Sequence, residues 1–510
     1  MKKNFSLIKT RFRSSFTDIN YLVSLKAIMI ISLLLYKIIL ILTYHQFYAD
    51  EDQTLMWYGT AMFSHGKFPE PCFFGQNYGA MAESILYMVR IPFRIALPLA
   101  TAIFSILPIS IAILLTHKEE VSWGCFLSFL FVSYPIDILL NVPRNLASGI
   151  CITTIACIYL IKSNHTIQLI FSSFFAVLGI IITNSAIVVL AVTGFYLLYK
   201  YHNYKRILIY AIGAVPAICY WAFINFFYKA NPQYLLASSW PFNWDVKQIF
   251  TNMNQIWDTA GNLNFLQIPA ISVLICLCFM SLLIITKNWI GLMCCFISII
   301  CSISFFGLSK INDFSTGILF SQLRMLLFLP YLISLLLFIC DDIQTHNKQS
   351  SQFDICNVVQ KFIKPLRCTM FTLSIISCLF KLNQIISETR YGNELTSTGV
   401  ISVTDTFKTA QTNMNILEAA ADQKCEWIIT VSDSRAQSYA LGAMGYGKFH
   451  FYNAVYDRRT WEWEDANDVK EDTRCLLVWY HDDTFTSETV ELRNISIVSF
   501  LEEQYSLTRK

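Results

Sequence analysis

The strongest constraint on this chain is a series of apolar runs of bilayer length. A hydrocarbon core about 30 Å thick is crossed by roughly 20 apolar residues in a helix. Eleven stretches meet that need: about 22–43, 95–116, 123–140, 146–162, 167–183, 184–200, 207–228, 268–286, 288–308, 324–341 and 367–387. In lipid, backbone N–H and C=O groups must be satisfied inside helices or closed barrels. The expected fold is therefore a polytopic α-helical membrane protein. Only 14% of residues are charged, against about 25% in a soluble domain, which excludes a soluble enzyme of this length. The 40 Phe and 25 Tyr exclude disorder. The run 167–200 is broken only by Thr183-Asn184-Ser185. At about 1.5 Å per residue it is too long for one untilted helix, so it is read as two spans parted there. The first run is too long for a signal-peptide core and lacks a small-residue cleavage site, so it is expected to remain as a span.

The charge is split along the chain. Residues 1–387 are net basic, whereas 388–510 hold 12 Lys/Arg against 20 Asp/Glu and have soluble composition. This divides the chain into a transmembrane part, 1–387, and a C-terminal part, 388–510. Lys and Arg are about threefold denser in the loops that lie inside if the N-terminus is cytoplasmic. That orientation puts two long loops, 44–94 and 229–267, and the C-terminal part outside. The tail reads as a small α/β domain: a helix over 403–423, strands at Trp427–Ser432, Lys448–Asn453 and Cys475–His481, and a last apolar segment Ile495–Phe500 taken as a strand. Cys425 and Cys475 either pair or are two core thiols. No Gly-rich phosphate loop, nucleophile elbow or zinc spacing is present, and no nucleic-acid partner is expected.

The first outer loop carries the most chemistry. Asp50, Glu51 and Asp52 open it directly after a span. Leu55, Met56, Tyr58, Met62 and Phe63 then recur at roughly helical spacing up to Gly66, which predicts an amphipathic helix on the membrane surface. Acids at its start suit the helix dipole and are also read as a cap. Gly75-Gln76-Asn77-Tyr78-Gly79 is a tight turn or a close backbone approach to a ligand. In the second loop, Ile249, Phe250, Met253, Ile256 and Trp257 predict an interfacial helix. Lys37 and Lys381 are read as snorkelling to the interface, as are Arg90, Arg94 and Lys310. Asp137 lies within a span and is weighed evenly between structure, with Arg144 as its partner, and function. His45 and His65 bracket the acidic loop without metal-ligand spacing.

A first span, an acidic pair just outside it, a helix ending in Gly66, and a stretch holding Gly75-Gln76-Asn77-Tyr78-Gly79 and Glu83 together resemble the GT-C superfamily. Gly179-Ile-Ile-Ile-Thr183-Asn184 and Arg324-Met-Leu-Leu-Phe-Leu-Pro330-Tyr331 are similar to two further stretches of that family. These are polytopic glycosyltransferases that use a polyprenyl-phosphate-sugar donor, and they include protein O-mannosyltransferases and the bacterial lipid A aminoarabinose transferase. The resemblance covers about residues 45–340. Ser185 stands where the family has Pro and Met325 where it has Tyr, and a third acid follows the pair. The resemblance implies Asp50 as the base of an inverting displacement, with Asp52 as competitor and Glu51 beside them. It implies that Arg324, Gln76, Tyr78, Glu83 and Asn184 bind the substrates, and Arg144 is a further candidate cation for the donor phosphate. The expected partners are the lipid donor, membrane lipid and a glycan, lipid or protein acceptor, in a bacterial inner membrane. No cofactor is required by this reading, and a Mg²⁺ or Mn²⁺ held by acids and phosphate stays open. The alternatives are a transporter or flippase-like carrier with a soluble tail, and a non-catalytic GT-C homologue.

Overall fold

The computed structural model describes residues 22–42, 48–67, 71–72, 93–140, 147–201, 203–231, 243–308, 321–346, 355–391, 403–431, 435–454, 473–481, 484–492 and 496–505. In chain order these form α1 (Leu22–Leu40), β1 (Tyr48–Asp50), α2 (Glu51–Ser64), α3 (Phe93–Leu115), α4 (Glu119–Leu130), α5 (Tyr134–Leu139), α6 (Ser148–Lys162), α7 (Thr166–Ile182), α8 (Ile187–Tyr201) and α9 (Tyr204–Ala230). There follow α10 (Val246–Thr251), α11 (Met253–Asn262), α12 (Pro269–Ile285), α13 (Trp289–Ser304), α14 (Ser321–Met325), α15 (Leu329–His346) and α16 (Ile355–Tyr391). The tail holds β2 (Val403–Asp405), α17 (Thr406–Asp422), β3 (Trp427–Thr430), α18 (Arg435–Gly445), β4 (His450–Asn453), β5 (Arg474–His481), β6 (Thr484–Glu491) and α19 (Ile497–Tyr505).

Six of these helical stretches are long and apolar enough to cross a membrane: Leu22–Leu40, Asn184–Tyr201, Tyr204–Ala230, Trp289–Gly307, Leu323–Thr345 and Cys368–Ile386. Leu99–Leu115, Ser148–Lys162, Thr166–Ile182 and Pro269–Ile285 are apolar but shorter. Large apolar side chains point outward from the bundle, among them Trp221 (58% exposed), Phe226 (69%) and Leu274 (62%). Water would not tolerate so broad an apolar surface. The chain is a multi-pass integral membrane protein.

The bundle is held closely by small residues. A Cβ on Gly149 of α6 would run into the Gly179 carbonyl oxygen and Thr183 of α7, and one on Gly179 would meet Thr153. The two backbones therefore touch, and Thr153 Oγ1 donates across to Ala176 O at 3.0 Å. Without a hydrophobic drive between helices in lipid, this contact and bond hold them. The long run 167–200 does part where expected: α7 ends at Ile182, Thr183 is extended, and a 3₁₀ turn Asn184–Ala186 leads into α8.

The stretch 123–140 is not one helix. Pro135 lacks an N–H and its ring would clash with the carbonyl four residues back. The helix stops at Leu130 and restarts as α5, with Pro135 in its first turn. The break frees Leu130 O, which accepts from Lys381 Nζ at 2.7 Å and Ser377 Oγ at 3.0 Å. Ser133 N and Oγ bond to Asn262 O and Oδ1 of α11, at 2.9 and 2.8 Å. Asp137 on α5 accepts from Lys37 Nζ at 3.2 Å, from Tyr36 Oη at 2.7 Å and from Lys381. All three charged side chains are fully buried. Lys37 and Lys381 therefore do not snorkel. Their four-carbon stems reach inward because a carboxylate without water needs them.

The expected surface helix is also placed differently. Every residue of α2 from Thr54 to Phe63 is buried, and a helix apolar all round belongs in a core. Leu55, Met56, Tyr58, Met62 and Phe63 pack with Ile416, Ile428, Tyr439, Leu441, Phe451, Leu476 and Tyr480 of the tail. Gly66, at φ +75°, closes the helix as expected. β1 pairs antiparallel with β2, with Tyr48 opposite Asp405 and Asp50 opposite Val403. The first outer segment and the tail are thereby parts of one packed unit, on the same side of the bundle.

The tail sheet has the order β4-β3-β5-β6, parallel except for the β5–β6 hairpin. α2, α17 and α18 cover one face and α19 the other. Ile497–Tyr505 is helical where a strand was expected, and the last strand is instead Thr484–Glu491. β6 is an edge strand, mostly exposed, so it carries no apolar alternation to read. Cys425 and Cys475 are free and buried, and burial pushes the Cys475 thiol up to about 12. They are two core thiols.

Removing the charge of Asp137 should strand Lys37 and Lys381 in the bundle. Asp137→Asn is expected to cost about 3–5 kcal/mol, seen as a lower melting temperature of the detergent-purified protein. Adding Lys37→Met and Lys381→Met should recover most of that loss. An unchanged melting temperature in Asp137→Asn would show that the cluster does not hold the bundle. The shared unit makes a second prediction. Cysteines placed at the exposed positions of Ser64 and Asp422 should react with an impermeant thiol reagent from the same side of the membrane. Labelling from opposite sides would refute the β1–β2 pairing.

Candidate functional site

The bundle has two chemically distinct ends. At one, Lys26 Nζ donates to Thr116 O (2.6 Å), Asp341 Oδ2 accepts from His117 N (3.0 Å), and Asp342 accepts from Tyr196 Oη (2.5 Å) and from Lys200. These groups are engaged within the bundle, although Asp341 Oδ1 is buried with no hydrogen-bond partner among the described residues. At the other end lie the start of α2, the 3₁₀ turn at Asn184 and α14 with Arg324, because α1, α7 and α15 each run between the two ends.

Asp50 is the last residue of β1, and Glu51 and Asp52 form the first turn of α2. α2 and α18 lie side by side with their C-terminal ends together. There the Tyr446 ring meets Tyr58 and His65, with centroids 5.5 and 5.1 Å apart. Their N-terminal turns therefore share the opposite end, next to β2. α18 follows β3 directly, so this end is also the carboxyl edge of the parallel strands. Open α/β sheets bind ligands at such an edge, where the strand order reverses. Here the chain passes from β3 to β4 on one side and returns to β5 on the other.

A buried polar cluster lines this edge. Tyr480 Oη donates to Asn413 Oδ1 at 2.8 Å, and Asn413 Nδ2 donates to Gln437 O at 3.3 Å. They tie β5 to α17 and to the first turn of α18. Burial pushes the Tyr480 phenol well up, so it stays a neutral donor. Thr430 and Ser438 hydroxyls are buried without hydrogen-bond partners among the described residues. None of these residues was singled out from sequence. The only signal was polar side chains ending the buried strand WIIT and opening the helix after it.

Of the expected site residues, Asp50, Glu51 and Asp52 are brought to the tail by the β1–β2 ladder and by α2. Arg324, in the last turn of α14, is half-buried and makes no hydrogen bond or ion pair among the described residues. α14 packs against α5. Asn184 is exposed at the α7–α8 corner. Gln76, Tyr78, Glu83 and Arg144 lie outside the described residues. The chain just before Gln76 is docked on α9, where Tyr228 Oη accepts from Cys72 N at 3.3 Å and Tyr220 Oη donates to Pro71 O at 3.4 Å. In the second loop, α10 and α11 leave Phe250, Met253 and Trp257 exposed, as an interfacial segment requires. Trp244 is tied down instead, its Nε1 donating to Ser304 O at 2.8 Å. Among the described residues no three His, Cys, Asp or Glu side chains gather as a metal site would need.

The arrangement puts the Asp50–Asp52 backbone at a helix start and Arg324, which has no hydrogen bond or ion pair among the described residues, at the same end of a membrane bundle. No protein-family model, no curated protein and no solved structure matches the chain.

Proposed function

We propose that the chain is a membrane glycosyltransferase that moves a sugar from a polyprenyl-phosphate donor to an extracytoplasmic glycan, lipid or protein. The observation that carries this reading is the shared placement of the Asp50–Asp52 segment and of Arg324, without a partner among the described residues, at one end of a multi-pass bundle. The Lys/Arg bias of the opposite loops supports an outward-facing site. In this reading a carboxylate, Asp50 first and Asp52 as competitor, takes the acceptor's proton as the acceptor oxygen or nitrogen attacks the anomeric carbon. The bond from that carbon to the phosphate oxygen breaks, the sugar inverts, and the polyprenyl phosphate leaves with the electron pair. Arg324 meets the growing phosphate charge with two parallel hydrogen bonds. The tail, fused to α2, forms the wall beside the acceptor.

The Lys37–Asp137–Lys381 cluster favours a second reading, because ionisable groups inside a bundle mark transport routes. All three are wholly enclosed, which supports a structural role and ranks the carrier second.

Asp50→Asn should lower turnover by about 10²–10⁴ while donor binding persists, measured as loss of the surface glycan in cells carrying the variant. Asp52→Asn should cost less. The reverse order would move the base to Asp52, and full activity in both would end the carboxylate reading. Arg324→Lys should keep the fold and weaken donor use, and Arg324→Ala should weaken it further. Losing a charge-assisted contact is worth about 1.5–3 kcal/mol, or about 10- to 150-fold in donor use. Unaltered donor use in Arg324→Ala would remove Arg324 from the site.

A further inference from the structure

A groove of about 330 Å³ opens between α7, α8 and α9, at the Lys/Arg-rich end of the bundle, away from Asp50. Its walls are apolar: Leu160, Val177, Leu190, Leu197, Ile207 and Ala214. Gly194, in the middle of α8, lines it, and a Cβ there would meet nothing within 4 Å. At Gly149, Gly179 and Gly213 the missing side chain lets another helix approach. At Gly194 it leaves space.

One end of the groove is polar and basic. Arg206 lies on the Tyr201 ring, 3.5 Å from its centroid. It donates from Nε to Tyr210 Oη (2.9 Å), from Nη1 to Asn164 Oδ1 (3.2 Å) and from Nη2 to Ser163 O (2.5 Å). A guanidinium has five N–H donors, so two remain for an anion. None of these three partners is a carboxylate, so among the described residues no acid offsets its charge there. Lys205 beside it is exposed. The groove is flanked by the exposed apolar side chains of Leu198 and Ile207, so it opens toward lipid.

An apolar slot ending in a positioned cation matches one membrane component. We infer that this groove seats an anionic phospholipid, one acyl chain lying along Gly194 and the phosphate at Arg206 and Lys205. A neutral lipid fits the slot but gains nothing from the free charge. A free phosphate gains the charge but leaves the slot unfilled. Basic pockets between spans at the Lys/Arg-rich side bind anionic headgroups for the same electrostatic reason. The site is separate from the proposed glycosyl-transfer centre, since the two lie at opposite ends of the bundle.

The test uses the full-length protein, delipidated in detergent. Phosphatidylglycerol or phosphatidylcholine is added, and bound lipid is counted by native mass spectrometry. Phosphatidylglycerol should be retained and should raise the melting temperature, whereas phosphatidylcholine and inorganic phosphate at the same concentration should do neither. Gly194→Leu puts a side chain into the slot from a position whose Cβ meets nothing within 4 Å. It should cut phosphatidylglycerol retention about 10-fold or more, with no drop in the melting temperature measured without lipid. Arg206→Gln should reduce the preference for phosphatidylglycerol by about 10-fold, the worth of a charge-assisted bond. Equal retention of the two lipids, or undiminished phosphatidylglycerol retention in Gly194→Leu, would overturn the proposal. Phosphate alone reproducing the thermal shift would do so as well, by leaving the slot without a role.

Discussion

A carboxylate cannot sit in hydrocarbon unless charge and hydrogen bonds replace its water. Asp137 is placed there by Pro135, which breaks the span into α4 and α5 and sets the short helix inside the bundle. Two costs arise together, an ion without solvent and a freed Leu130 carbonyl. Lys381 meets both at once, bonding Leu130 O and the carboxylate, and Lys37 and Tyr36 complete the coordination. These residues lie on α1, on α5 and on α16, which are the helices that lead into the first outer segment, the 141–147 connection and the tail. The ion cluster therefore fixes the spacing of the membrane elements that carry the outer unit.

The outer unit repeats that closure without charge. α1 leads into β1 and α16 leads into β2, and these two short strands pair. α2 then enters the core of the tail, where its aromatic and sulfur-bearing side chains complete the α17–α18 face of the sheet. Neither piece is complete alone. A four-stranded sheet without α2 would expose Ile428, Phe451 and Leu476, and α2 without the sheet would expose apolar residues on every side. Asp50, Glu51 and Asp52 thus have their backbone held from two directions, by the β1–β2 ladder and by α2.

The apolar helices were legible because each is a local composition, although among the described residues only six of the eleven expected stretches are long and apolar enough to cross a membrane. The Thr183–Ser185 break was legible because three polar residues interrupt a long run. The α4–α5 break was legible in principle from Pro135 but was masked by the apolar residues around it. Lys37 and Lys381 were misplaced for a different reason. Their partner is about 100 and 244 residues away in sequence, and no local pattern carries such a pairing. α2 failed as a surface helix because its apolar residues cover the whole circumference. Reading five of them as one stripe overlooked Trp57, Thr60 and Ala61 between them. For the site, residue types and their end of the bundle were readable. The tail's Asn413–Gln437–Tyr480 cluster was not, since it exists only once three elements meet.

The two ends of the bundle treat polar groups in opposite ways, and the contrast bears on where chemistry can occur. At the Lys26–Asp342 end, Lys26 is held by carbonyls and Asp342 by Tyr196 and Lys200, so these groups are engaged within the bundle. At the Asp50 end, the acids open a helix whose dipole favours them, while Arg324 makes no bond to the described residues. Satisfied groups stabilise and do not react. A charged group left without a partner carries a cost that a bound ligand can offset. In the proposed reading that asymmetry puts the reacting end at Asp50, and leaves Arg206 as the exception at the other end, where the proposed ligand is lipid.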